Sequence, residues 1–296
     1  MNDGEHALRR ALPFILFAGI CFSTLDATAK YLVQDHALFL VVWARYAGQM
    51  LVTTPIAWQR GGPGFWRTRH LQVQLVRSLC LVIATACFFG GLRYLPLAEG
   101  TAVSFLAPMV ALVLAFPVLG ERPTRARWLS ALGGFVGILI LVRPGGAVFH
   151  PATALLLMAA VANALYQLLT RKLGGDASHT TLFYSGLVGT VMLSAALPFV
   201  DTPSVITFSD VFFLVLLGLL AGVGHWGLII AFTRAPATLV APFTYVGMVW
   251  ATLYGLAVFG HLPDTWSFVG MGVIVASGVG LMAHERRRSA RAGLKL

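Results

Sequence analysis

Charge is the scarcest resource in this chain, and acid is scarcer than base. Only 11% of the 296 residues are Asp, Glu, Lys or Arg, and eleven acids stand against twenty-one bases. No stretch stays polar long enough to make a soluble domain; the longest connection between apolar runs, residues 59–71, is a turn rich in Gly, Pro and Arg. Cysteine is confined to Cys21, Cys80 and Cys87, all inside apolar stretches. An odd number without metal-type spacing gives neither a disulfide framework nor a zinc site, so the three read as small hydrophobes facing lipid or core. No P-loop and no metal-ligand cluster occurs, which leaves ATP-driven pumping without a site and gives no reason to expect a cofactor or metal. Gly222-Val-Gly224-His-Trp-Gly227 matches G-x-G-x-x-G by letter. It lies within an apolar span where no βαβ unit can form, and no acid follows about 20 positions on.

What the chain does have is apolar length. It is 58% hydrophobic with a mean hydropathy of +0.81, more apolar surface than a soluble protein of this size can keep from aggregating. The bilayer is its natural solvent and partner. About 20 apolar residues cross the hydrocarbon as a helix, and such runs fall near residues 11–33, 37–58, 72–94, 97–119, 127–143, 150–172, 179–200, 210–233, 237–259 and 264–284. The first run, with Arg9-Arg10 before it and Ala27-Thr28-Ala29 inside it, imitates a signal peptide. It continues past a normal h-region and carries Asp26, so it reads as the first of ten spans.

The bases then orient the spans. With a cytoplasmic N-terminus, sixteen Lys and Arg fall on the inner side and only Arg93 and Arg143 on the outer. This satisfies the positive-inside rule and places both termini in the cytoplasm of a bacterial-type inner membrane. The net charge of +10 is therefore an anchor on anionic lipid rather than a footprint for nucleic acid.

Two segments repeat. Pro96–Pro123 and Pro236–Pro263 each open on proline, run through an apolar stretch and close on Gly-x-x-Pro. At an offset of 140, Ala111, Val118 and Gly120 return as Ala251, Val258 and Gly260, while Ser104-Phe105 becomes Thr244-Tyr245. Ten spans divide into halves of five, 1–145 and 146–296, the second with the basic tail. Five is odd, so the second half enters the membrane upside down. The expected fold is an all-α polytopic membrane protein, with two inverted five-helix repeats around a central cavity. Glu121 stands where His261 stands in the second copy, so the two turns need not behave alike.

The stretch Leu92–Gly145 carries Tyr94, the Ala/Gly-rich start of the fourth span, Pro108, Gly120-Glu121-Arg122 and a glycine-rich fifth span. It resembles the signature of the drug/metabolite transporter superfamily in its EamA-type branch, and Arg45 in WARY resembles an arginine common in that family's second helix. The resemblance extends over essentially the whole chain. It implies ten helices in inverted halves, a cavity lined mainly by spans 1, 3, 4, 6, 8 and 9, and movement of small metabolites by alternating access.

Within that frame, polar residues amid apolar sequence become candidates, because lipid cannot satisfy them. Asp26 and Lys30 stand four apart on span 1 in the favourable order for an intrahelical pair. With Arg45, Arg93 and Glu99 they form a candidate gate near the outer mouth, or a hold for a substrate carboxylate; the alternative is that Asp26 merely neutralises Lys30 or Arg45. Candidate cavity residues are Phe88, Ser104, Phe105, Asn163, Tyr166, Gln167, His225, Trp226, Thr244, Tyr245, Met248 and Trp250, which equally suit helix packing. His225 suits either proton coupling or a neutral hydrogen-bonded role. Pro108, Pro117 and Pro242 remove backbone donors and are candidate hinges or static kinks. Gly133-x-x-x-Gly137 permits tight packing, within the monomer or at a homodimer face.

The leading expectation is a secondary transporter for a small molecule, exporting amino acids, including aromatic or other apolar ones. Uptake or exchange of a larger metabolite such as S-adenosylmethionine is the alternative. An intramembrane enzyme and a passive channel rank below both, since no paired carboxylates, Ser–His pair or metal triad has catalytic spacing.

Overall fold

The computed structural model describes residues 3–120, 124–173, 176–200, 206–235 and 240–291. Among these residues every regular element is helical: α1 (Asp3–Asp35), α2 (Leu38–Gly61), α3 (Leu71–Leu92), α4 (Leu97–Ser104), α5 (Ala107–Leu119), α6 (Arg125–Leu141), α7 (Thr153–Lys172), α8 (Ser178–Ala196), α9 (Phe208–Arg234), α10 (Val246–Phe259) and α11 (Thr265–Arg291). Seven stretches, counting α4 with α5, are long and apolar enough to cross a membrane. The others are α2, which carries Arg45 and Gln49, the 17-residue α6, and the stretch ending in α10. Together they make ten spans in two inverted halves.

The pattern of burial suits hydrocarbon. Phe135, Leu132 and Leu129 of α6 and Phe208, Phe212 and Val215 of α9 point outward, whereas Gln49, Thr53, Gln74, Arg77, Ser78 and Glu99 are buried. Apolar side chains face a medium that cannot hydrogen-bond, and polar ones retreat inside.

The fourth span is broken rather than kinked. Pro108 has no N–H for the Ser104 carbonyl, and its ring crowds that same carbonyl. Accordingly α4 stops at Ser104, and α5 restarts with Pro108 in its first turn, where the missing donor costs nothing. In the second copy a 3-10 segment, Ala241–Tyr245, precedes α10 at the matching place. There Met248 occupies the position of Pro108, and the proline is Pro242, whose side chain lies outside the described residues. Pro117 lies inside α5, close to its end. The two copies also end alike. Gly120 (φ 73°) and Gly260 (φ 64°) close α5 and α10 in the left-handed conformation that favours glycine, their N–H groups reaching Ala115 and Phe116 in one case and Gly255 and Leu256 in the other. Glu121 and Pro123 lie outside the described residues.

Inversion is visible in the packing. If each half is numbered in parallel, α1 corresponds to α7, α3 to α9, α5 to α10 and α6 to α11. The α1–α9 contact then has its counterpart in α3–α7, and α5–α7 in α1–α10, while α2–α8 and α6–α11 are their own counterparts. The α6–α11 pair is antiparallel: Arg127 Nε meets Glu285 Oε1 at 2.8 Å, Ser130 Oγ donates to the Ser277 carbonyl, and Arg143 Nη2 meets Asp264 Oδ2 at 2.5 Å. Gly137 and Gly270 pack between these points, so the small-residue face of α6 is filled within the chain. At the start of α9, Thr207 and Asp210 form a capping box, and His36 just after α1 lies 3.0 Å from Asp210.

Helix α2 approaches α9 closely. A Cβ on Gly48 would lie 2.5 Å from the Gly218 Cα, and one on Gly218 would lie 2.5 Å from the Gly48 Cα and 2.8 Å from the Ala44 oxygen. Backbone meets backbone here, so neither side can yield cheaply. Gly218→Ala is expected to cost about 1–3 kcal/mol through overpacking, seen as a lower thermal midpoint in detergent. Gly19→Ala, whose added carbon meets nothing within 4 Å, should not lower the midpoint, since alanine suits a helix interior better than glycine.

Asp264 precedes α11 and accepts the Ser267 N–H at 2.7 Å. That hydrogen bond, with the Arg143 guanidinium beside it, holds the carboxyl below the usual carboxylate range. A carboxyl more acidic folded than unfolded contributes fully above about pH 4 and loses its contribution as pH falls through the folded value. Asp264→Asn should therefore reduce the acid-side fall in thermal midpoint, and a midpoint-against-pH series on both proteins checks it.

Candidate functional site

Two polar clusters occupy the bundle, one in its interior and one at the end where α1 finishes. The sequence treats Asp26, Lys30, Arg45, Arg93 and Glu99 as one group; the structure divides them. Asp26 and Lys30 share a face of α1, yet among the described residues no hydrogen bond joins them. The long Lys30 stem extends toward the helix end, while the short Asp26 stays at depth.

In the interior, Asp26 of α1 lies within electrostatic reach of Arg45 of α2. The Arg45 guanidinium lies 4.6 Å from the centre of the Tyr46 ring, a favourable cation–π distance. Its Nη1 is buried without a hydrogen-bond partner, as are both ends of the Gln49 side-chain amide one turn along. His225 of α9 faces the same region. Its Nδ1 lies 2.7 Å from the Ala221 carbonyl oxygen, which can only accept, so that nitrogen carries the proton. The His225 ring stands edge-on to Phe22 at 5.0 Å. On the far side, Arg77 of α3 is fully buried. It donates to Ser185 Oγ and to the Thr181 carbonyl of α8, and its guanidinium lies 4.8 Å from the centre of the Tyr166 ring of α7. Tyr46 and Thr85 share a hydroxyl–hydroxyl bond at 3.0 Å. The result is a polar interior carrying both signs of charge and walled by aromatic rings.

At the end of α1, Lys30 Nζ donates to the Leu92 and Leu95 carbonyls, 2.7 Å each, across the turn between α3 and α4. It also lies 5.3 Å from the centre of the Phe259 ring of α10. Glu99 is fully buried in α4, within electrostatic reach of Lys30. Its Oε1 accepts from His261 Nε2 at 3.1 Å, while Oε2 has no partner. The His261–Glu99 bond joins the second half of the chain to the first. Beside it lies a cavity of about 420 Å3 lined by Lys30, Gln34, Arg93, Tyr94, Phe259 and His261, among others. Three parts of the chain that the sequence keeps far apart thus converge: the end of α1, the α3–α4 turn with the start of α4, and the turn after α10.

The remaining candidates distribute unevenly. Phe105 and Tyr245, matched positions of the two copies and both candidate cavity residues, stack on each other with ring centres 4.8 Å apart and an angle of 23°. Tyr245 and Met248 belong to a core cluster with residues of α4, α6 and α11. Two apolar side chains at matched positions bury more surface against each other than across an open space. Ser104 Oγ points back to the Gly100 carbonyl within its own helix. Thr244, Trp226 and Trp250 are half-buried, as is Asn163, whereas Gln167 is exposed. Phe88 sits where three apolar clusters meet. A smaller crevice of about 110 Å3, lined by Pro108, Met109, Ser130 and Tyr245 among others, lies between α5, α6 and α11.

Two residues central to this geometry were missed as site candidates. Arg77 is an ionisable group inside a span, and the rule that selected Asp26 selects it too. His261 was noticed only as a mismatch with Glu121; its reach to Glu99 depends on the fold.

The profile of the EamA-like transporter family matches residues 9–143 and again residues 150–283. The chain is 27% identical over 289 residues to an S-adenosylmethionine uptake transporter of Rickettsia prowazekii, covering 97% of both proteins. It is 28% identical over 298 residues to a riboflavin transporter of Vibrio cholerae, covering 98% of both. A solved crystal structure superimposes with a TM-score of 0.64 at 21% identity, over 96% of this chain and 98% of that one, a likeness that speaks to the fold. With one match in each half and the ten-span inverted architecture, the chain belongs to the EamA-like transporter family.

Proposed function

We propose that this chain is a secondary transporter that takes up or exchanges a nucleoside-sized zwitterion of the S-adenosylmethionine kind by alternating access. The observation that carries this reading is the half-buried Asp26 within electrostatic reach of the buried Arg45, whose guanidinium lies over the Tyr46 ring, with His225 and the Phe22 ring packed on it in the same region. A substrate with an ammonium or sulfonium centre and a carboxylate can engage both charges, with Asp26 taking the cation and Arg45 the anion. The aromatic rings suit a stacked heterocycle. Full-length similarity to proteins named for S-adenosylmethionine uptake supports the same substrate class.

A flavin is the second reading, supported by similarity to riboflavin transporters. Riboflavin carries no fixed charge at neutral pH, so it would leave Asp26 and Arg45 to one another. Amino-acid export, the first expectation from sequence, has less support: the full-length relatives are named for S-adenosylmethionine and riboflavin.

In the proposed cycle the two inverted halves exchange conformations around the interior cluster. With both termini in the cytoplasm, as the positive-inside rule expects of these basic residues, the Lys30–Glu99–His261 cluster closes the outer end. Lys30 holds α1 to the α3–α4 turn, and His261 holds the second half to α4. Opening this end requires both contacts to part.

Counterflow in proteoliposomes tests the substrate class. Internal unlabelled S-adenosylmethionine should drive uptake of the labelled compound, while phenylalanine should not. Phenylalanine counterflow without S-adenosylmethionine counterflow would sink the proposal. Asp26→Asn keeps the side-chain shape and removes the charge. With one charge-assisted contact worth about 1.5–3 kcal/mol, it should raise the apparent KM at least about tenfold in the same assay while the protein remains folded in detergent. An unchanged KM would remove Asp26 from the substrate's contacts.

A further inference from the structure

The cavity beside Lys30 differs in chemistry from the interior cluster, and its charges are not all committed. Lys30 is held by two carbonyls and neighbours the buried Glu99. Glu99 is held in turn by His261. Arg93 lines the same cavity and is exposed. Its backbone carbonyl accepts from Gln34 Nε2 at 3.2 Å, but its guanidinium makes no hydrogen bond or ion pair among the described residues. The cavity therefore presents one uncommitted planar cation, a Gln34 amide, and the rings of Tyr94 and Phe259. Tyr94 is itself stacked on His150 at 5.6 Å, which braces that wall.

We propose that this cavity is a loading site for the carboxylate of the substrate, separate from the Asp26–Arg45 site and on the path to it; the proposal rests on the zwitterion reading above. A guanidinium offers two parallel N–H groups to a carboxylate, and Arg93 has them free. Lys30 is the next cation inward. A carboxylate that moves from Arg93 to Lys30 competes with the Leu92 and Leu95 carbonyls for the ammonium protons. Loading thus loosens the contact that holds α1 to the α3–α4 turn. Asp26 lies one helical turn deeper on α1 and Arg45 beside it, so the carboxylate passes along a series of cations: Arg93, Lys30, Arg45. The pocket volume of about 420 Å3 lies within the usual range for small-molecule sites.

The test uses sidedness. An interior site serves substrate from either end, whereas a loading site serves only the end on which it opens. Vesicles of opposite orientation, each reconstituted with the full chain, present labelled S-adenosylmethionine to one end or the other. Arg93→Ala should raise the apparent KM about tenfold, the worth of one charge-assisted contact, when substrate arrives at the Lys30 end. It should leave the KM from the opposite end unchanged. Decarboxylated S-adenosylmethionine, which lacks the group being read, should show the same KM in both proteins, and Arg93→Lys should recover part of the loss. A KM that moves equally from both ends, a loss shared by the decarboxylated compound, or no change at all would overturn the loading site while leaving the transport reading in place. Absence of S-adenosylmethionine counterflow in the unmodified chain would overturn that parent reading and this one together.

Discussion

Hydrocarbon offers no partner to an N–H, a carbonyl or a charge, and that fact places the buried polar groups of the spans. Helices satisfy the backbone internally. Polar side chains turn inward, where they meet one another rather than lipid, and the outward surface is left to Leu, Val and Phe. The breaks in the fourth and ninth spans occur within the protein's own packing, with Phe105 against Tyr245, where loosened backbone is shielded from lipid. The same constraint lets a few charges inside the spans support much geometry, because any partner they find must come from the bundle itself.

That inward placement is not equally complete everywhere. Buried polar atoms without a partner concentrate on α2 and α3, at Arg45, Gln49, Thr53, Thr54, Gln74, Arg77 and Ser78. By contrast, the α6–α11 pair closes with ion pairs at both ends and glycines between them. One part of the molecule is fastened, and another holds unspent hydrogen-bonding capacity.

Much of the architecture was legible in the sequence because lipid imposes a simple code of run length and polarity. The offset of 140 announced two copies, and both Gly120 and Gly260 took the same left-handed cap. Pro108 pointed to a disturbed fourth span, although a kink was expected and the structure has a break, because the proline affects Ser104 from four residues away. The charges were legible as a set but not as pairs. Spacing on α1 joined Asp26 to Lys30, whereas side-chain length sends Lys30 to the Leu92 and Leu95 carbonyls. His261 and Glu99 are separated by 162 positions, and no local pattern marks such a meeting. Phe105 and Tyr245 were recognised as equivalents, but equivalence alone does not say whether two residues face each other across a gap or touch.

Their contact has a consequence for the symmetry of the molecule. Matched residues of an inverted repeat that touch lie at the pseudo-twofold axis relating the halves, so the stack of Phe105 on Tyr245 marks that axis. The two rings differ by one hydroxyl, which Tyr245 carries toward Gly278 and Phe105 lacks. At its own axis the molecule is asymmetric by a single oxygen, and two halves built on one pattern do not meet there as equals.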